Sequence, residues 1–216
     1  MAKTVYSLVL DDNLIAELDR VAYKKGVSRS NMVNEIIAEY LELETPQRRS
    51  SDIFSHMQAL VERSQSLRFL PQQSSGFATV CGAITFRYNP TVKFAVELYK
   101  NHKKYLGELK VSLRSTNAQV LREVNKFYWL FFSLEQKYVG DVECEIEGEK
   151  YFRKLRLKNA ESFDNRAVGE AIADYVNVFN RLLNLYFANL DQADNVFPQL
   201  EALYVNTLKS QKIVLS

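Results

Sequence analysis

The sequence predicts two parts of different class. The first, residues 1–45, is a β-α-α module that exists only as an intertwined homodimer; the second, residues 52–216, is an α+β domain. Three observations carry this. Residues 3–10 alternate with period two, the pattern of a strand. Two helical stretches follow, parted by Gly26. Beyond residue 76, period-two segments and long helical stripes recur in a chain of 216 residues that is 47% apolar, enough for a core.

In the opening strand, Tyr6, Leu8 and Leu10 point one way and Lys3, Val5, Ser7 and Val9 the other. Asp11 or Asp12 caps the first helix, whose apolar stripe is Leu14, Leu18, Val21 and Ala22. After Gly26 and Val27, Ser28 is the next N-cap. The second helix carries Met32, Val33, Ile36, Ile37, Tyr40 and Leu41, a wide stripe that ends before Pro46. A lone strand has no partner for its N–H and C=O groups, and about 45 residues bury too little surface to stand alone. Pairing two copies into a two-stranded antiparallel ribbon answers both needs.

The strand ending in VLDD, the pattern LIAELDRVAYKKG and the stretch GVSRSNMVNEIIAEYL resemble the ribbon-helix-helix superfamily, that of the Arc, MetJ and CopG repressors. The likeness covers residues 3–45; the remainder resembles no family. It implies a homodimeric, sequence-specific transcriptional regulator that inserts its ribbon in the major groove of double-stranded DNA. The base-reading residues would be Lys3, Val5, Ser7 and Val9. Ser28, Arg29 and Ser30 would clamp a phosphate at the start of the second helix, with Lys24 and Lys25 adding phosphate contacts. Val5 and Val9 depart from the hydrogen-bonding residues usual on that face; valine offers only contact with a thymine methyl. Residues 1–50 hold seven Lys or Arg against eight Asp or Glu, so a strongly basic footprint is absent. The alternative is a protein-interaction protein, an antitoxin or assembly factor, that uses the module only to dimerise.

Residues 46–51, PQRRSS, read as a linker, with Arg48 and Arg49 solvated. A helix follows from Asp52 to about Arg63, then a loop at 71–76. Three strands form a meander: Val80, Ile84, Phe86 and Tyr88 share one face, then Val92, Phe94, Val96 and Leu98, then Leu109, Val111 and Leu113. Setting Phe86 against Phe94 leaves a three-residue loop, Asn89-Pro90-Thr91, and Leu98, Val96 and Phe94 can likewise face Leu109, Val111 and Leu113. The other face, with Arg87, Lys93, Lys110 and Arg114, reads as solvated. Asn117 caps a helix to about Tyr138 whose FYWLFF run is apolar nearly all round, hence a core helix. A second hairpin sets Cys144 against Leu155, which would pair Glu143 with Arg156 and Glu145 with Lys154. Helices over about 165–190 and 194–211 close the α+β domain, which would serve oligomerisation, a small-molecule effector or a protein partner.

No glycine-rich phosphate loop or nucleophile motif occurs, so no enzyme and no cofactor are expected. Two histidines and two cysteines give no metal-ligand spacing. The absence of any uninterrupted apolar run of roughly 18 residues argues against a membrane span. Cys81 and Cys144, far apart in sequence, read as free thiols of a cytoplasmic protein.

Overall fold

The regular structure begins with helices. In the computed structural model, which describes residues 5–71, 74–86, 89–100, 104–157, 163–190, 193–211 and 213–216, residues 5–10 lie outside any sheet. Then come α1 (Asp12–Lys25), α2 (Arg29–Tyr40) and α3 (Pro46–Val61). This overturns the expected N-terminal β-α-α, ribbon-helix-helix fold. Alternation alone does not make a strand: the ladder needs a neighbouring backbone, and among the described residues no strand pairs with residues 5–10. The expected linker is also corrected. Residues 46–51 are the first turns of α3, and Pro46 suits a first helical position because its missing N–H would have no partner there.

The chain divides into two compact units, Met1–Pro46 and Gln47–Ser216. In the first, Gly26 ends α1 in the left-handed conformation at φ 64°, and Val27 N–H donates to Ala22 O at 3.0 Å, closing the helix. Ser28 then caps α2, its Oγ accepting from Asn31 N–H at 3.3 Å. Leu18, Ala22 and Met32 are the buried core of this unit, with Val21, Val27 and Val33 packed against them.

The second unit adds β1 (Leu67–Phe69), β2 (Phe77–Ala83), β3 (Thr91–Leu98), β4 (Gly107–Leu113), α4 (Ala118–Tyr138), β5 (Cys144–Glu147), β6 (Lys150–Leu155), α5 (Asn165–Ala188) and α6 (Ala193–Ser210). The strands form one antiparallel six-stranded sheet in the order β1-β2-β3-β4-β6-β5. Meander and second hairpin are thus a single sheet, joined where β4 pairs with β6.

The expected registers are displaced. Phe94 faces Val80 rather than Phe86, Val96 faces Leu109, and Cys144 faces Arg153 rather than Leu155. Each displacement is an even number of residues, so every side chain keeps its face. The apolar pattern fixes parity and leaves the two-residue choice to the loops. The β2–β3 connection is accordingly longer than three residues; Arg87 and Tyr88 lie outside the described residues.

The core lies between one sheet face and the helices. Phe179 of α5 is its hub, with its ring centroid 5.7 Å from Phe94 (β3), 5.4 Å from Tyr151 (β6) and 4.5 Å from Phe131 (α4). The FYWLFF run is half core: Phe127, Tyr128 and Phe131 are buried, whereas Trp129 is exposed.

α3 and α5 touch backbone to backbone at Gly169. A methyl there would stand 2.4 Å from Ile53 O and 3.1 Å from Met57 N, in atoms that cannot swing aside. Gly169→Ala is expected to lower stability by about 1–3 kcal/mol, in the range of overpacking, despite alanine's better helix propensity. Urea denaturation measures this.

Candidate nucleic-acid interface

The residues expected to meet phosphate gather around the turn between α1 and α2. Lys24 and Lys25 occupy the last turn of α1, where cations suit the negative end of the helix. Ser28, Arg29 and Ser30 open α2, two residues beyond Gly26. A helix start presents N–H groups and the positive end of the peptide dipoles, so the turn has the elements of an anion site.

Several of these groups already have partners. Arg29 forks onto Asp19 of α1: Nε donates to Oδ1 at 2.6 Å and Nη2 to Oδ2. The pair holds the Asp19 carboxyl below its ordinary range and raises the Arg29 guanidinium, by hydrogen bonding first and charge second. Lys25 Nζ stands 3.7 Å from Glu35 Oε2, a loose, mostly exposed pair. Ser30 O accepts from Asn34 Nδ2 at 2.8 Å. The sequence pattern carries no signal for the Asp19–Arg29 bond, which spans ten positions across a turn.

The expected base-reading residues are not set on a strand. Val5, Ser7 and Val9 lie on the opening segment, which has no regular secondary structure, with Val5 and Val9 97% and 101% exposed. Lys3 lies outside the described residues. The opposite side of the segment is no better covered: Tyr6, Leu8 and Leu10 are exposed, as are Leu14 of α1 and Ile36, Ile37, Tyr40 and Leu41 of α2. The apolar stripes read from the sequence are therefore present, but much of their area faces water.

Among the described residues there is no cluster of histidine, cysteine or acidic side chains able to hold a metal, and no helix is long and apolar enough to cross a membrane. Both cysteines are free; burial pushes the Cys144 thiol up to about 11, which suppresses its thiolate at neutral pH. The chain matches no protein-family model, no curated protein and no solved structure.

One buried polar cluster was not foreseen. Arg153 of β6 and Glu135 of α4 are both fully buried. Arg153 Nε and Nη2 donate to Glu135 Oε1 at 3.1 and 2.9 Å, and Tyr151 OH donates to Oε2 at 2.5 Å. Arg153 Nη1 and Nη2 also donate to Lys154 O at 2.6 Å and Leu215 O at 3.1 Å. Parity could have found the arginine, which shares a face with Tyr151 and Leu155. The expected pairs of Glu143 with Arg156 and Glu145 with Lys154 do not form. Lys154 pairs instead with Glu108 on β4, and Glu143 with Lys104 at 2.9 Å.

Ser28→Ala removes the cap of α2. A loss of about 1 kcal/mol is expected, read as a lower melting temperature with the α-helical circular dichroism of the folded state unchanged.

Proposed function

We propose that the chain acts as a homodimer joined through Met1–Pro46, and that this dimer binds double-stranded DNA as a transcriptional regulator in a reducing cytoplasm. The observation that carries the first half is the mismatch between core and stripe. Leu18, Ala22 and Met32 are buried, while Leu14, Ile36, Ile37, Tyr40 and Leu41 stand in water. Covering apolar area is worth roughly 25 cal/mol per Å², so a second copy that hides these side chains stabilises a unit too small to be stable alone.

The DNA half is supported by the α1–α2 turn, where Lys24 and Lys25 stand near the capped start of α2. Reading by a two-stranded ribbon is set aside with the strand itself. Phosphate contact by Lys24, Lys25 and the Ser28–Ser30 backbone is retained, with the opening segment of Lys3, Val5, Ser7 and Val9 beside the bases. The second unit would bind an effector or protein partner.

The Asp19–Arg29 fork and the lack of a basic excess in residues 1–50, seven Lys or Arg against eight Asp or Glu, favour a second reading, an interaction protein that only dimerises through this unit. Selection of DNA by the full chain at two salt concentrations separates the two. Sequence-selective enrichment that weakens with salt is expected for the regulator; no enrichment at either salt concentration assigns the chain to the interaction class. If an operator is found, Lys25→Ala is expected to weaken binding to all sequences and reduce the salt slope by about 0.9. Asp19→Asn, which frees Arg29, is expected to strengthen it, and Ser7→Ala to change site preference. Fluorescence anisotropy measures all three.

A further inference from the structure

The sheet of the second unit has one face in the core and one turned away from it, and register sets the second face out in rows. One row runs Arg68 (β1), Cys81 (β2), Lys93 (β3), Ser112 (β4), Lys150 (β6) and Glu147 (β5). The next runs Thr79, Ala95, Lys110, Phe152 and Glu145. Arg68, Lys93 and Lys150 are exposed, and Lys110 and Phe152 half-exposed. The meander alone contributes Lys93 and Lys110. Pairing of β1 and β6 at its two sides brings Arg68 and Lys150 into the same row and sets Phe152 beside Lys110, a juxtaposition the separate strands do not reveal.

We infer that this face binds single-stranded nucleic acid, with Arg68, Lys93, Lys110 and Lys150 on the phosphates and Phe152 as a stacking platform for a base. At the far end of the sheet, Lys154 is tied to Glu108 and to Tyr99 OH, and Lys104 to Glu143. Arg68, Lys93, Lys110 and Lys150 make no ion pair among the described residues, although Glu147 stands opposite Lys150 in the register. Their charge is not consumed within the fold and is available to a polyanion.

The spacing suits a flexible strand. Arg68, Lys93 and Lys150 stand on alternate strands, about 10 Å apart at the roughly 4.8 Å strand spacing, and Lys110 is the diagonal neighbour of Lys93 at about 7–8 Å. Long side chains at these intervals can follow a backbone laid across the strands. Lys110 Nζ lies 5.2 Å over the Phe152 ring, a perch its four-carbon stem can leave for a phosphate while a base takes the ring. Unpaired bases expose the π-face that such a ring stacks on; a duplex hides it. This reading does not depend on the N-terminal unit.

The test is anisotropy of the full chain with labelled oligodeoxyuridylate and oligouridylate of equal length, which differ only in the sugar, at about 50 and 200 mM salt. Both are expected to bind. Lys93→Gln with Lys150→Gln should weaken binding at least tenfold and lower the salt slope by about 1.4, the single-strand value for two phosphates. Phe152→Ala should cost about tenfold and Phe152→Trp should restore it. Equal affinity for the two oligonucleotides assigns the face to single strands generally; a preference for one assigns it to that sugar. Thermal melting of each variant confirms that it is folded. No binding by the wild-type chain, or binding that these substitutions leave unchanged, overturns the inference. So does a change of oligomeric state in Lys93→Glu without oligonucleotide binding, which would give the face to another copy. Binding lost in Lys25→Ala but kept in the sheet variants would place the strand on the N-terminal unit and also overturn it.

Discussion

Glu135→Ala is expected to destabilise the protein by about 3–5 kcal/mol, a large fraction of the stability of a typical domain. The substitution leaves the Arg153 guanidinium fully buried with its carboxylate gone, and takes from the Tyr151 hydroxyl its acceptor at 2.5 Å. An unpaired ion in a low-dielectric core is far costlier than a lost surface bond. Arg153→Met should cost a comparable amount, because Glu135 is then the stranded charge. The double variant, Glu135→Leu with Arg153→Met, should recover most of the loss, since two apolar side chains of similar volume strand nothing. Denaturant unfolding of the three variants decides the matter. Single substitutions within about 0.5 kcal/mol of wild type would mean that the pair is open to solvent.

The second large effect concerns association. Ile37→Asp together with Leu14→Asp places two carboxylates in the apolar area that a second copy would cover. Each isoleucine or leucine so hidden is worth about 1.5–3 kcal/mol, and a buried, unpaired carboxylate adds a penalty of its own. The double variant is expected to be monomeric at concentrations where wild type is paired, and to lose DNA binding with the pairing. Both side chains are exposed within one chain, 46% for Ile37 and 58% for Leu14, so the intrachain core is not the target. Unchanged association would exclude this face as the junction.

Much of the second unit was legible because its elements carry strong local signals. Asn117 caps α4 by accepting from Gln119 and Val120 N–H, at the position the sequence indicates. α5 and α6 follow their apolar stripes, and the side chains of β2, β3 and β4 keep the predicted parity. What parity cannot supply is absolute register, and all three hairpin pairings were displaced by an even step. β1, three residues long, is too short to leave a period. PQRRSS has the composition of a linker, yet it is helical because Pro46 begins a helix as readily as it ends one.

At the first unit the physical information was incomplete in a different way. The stripes of α1 and α2 were visible, but alternation over residues 3–10 says only that a segment has two dissimilar sides. Whether it becomes a strand depends on a neighbour that the sequence of one chain does not name. The candidate site divides similarly. Ser28 as a cap follows from local chemistry, whereas the capture of Arg29 by Asp19 depends on how two helices meet across Gly26.

The state of association of the full chain decides whether Met1–Pro46 joins two copies. Sedimentation equilibrium at micromolar concentration should return the mass of two chains, shifting to one for the Leu14→Asp, Ile37→Asp variant. A folded wild-type protein with the mass of a single chain throughout that range would mean that the exposed faces of α1 and α2 join nothing.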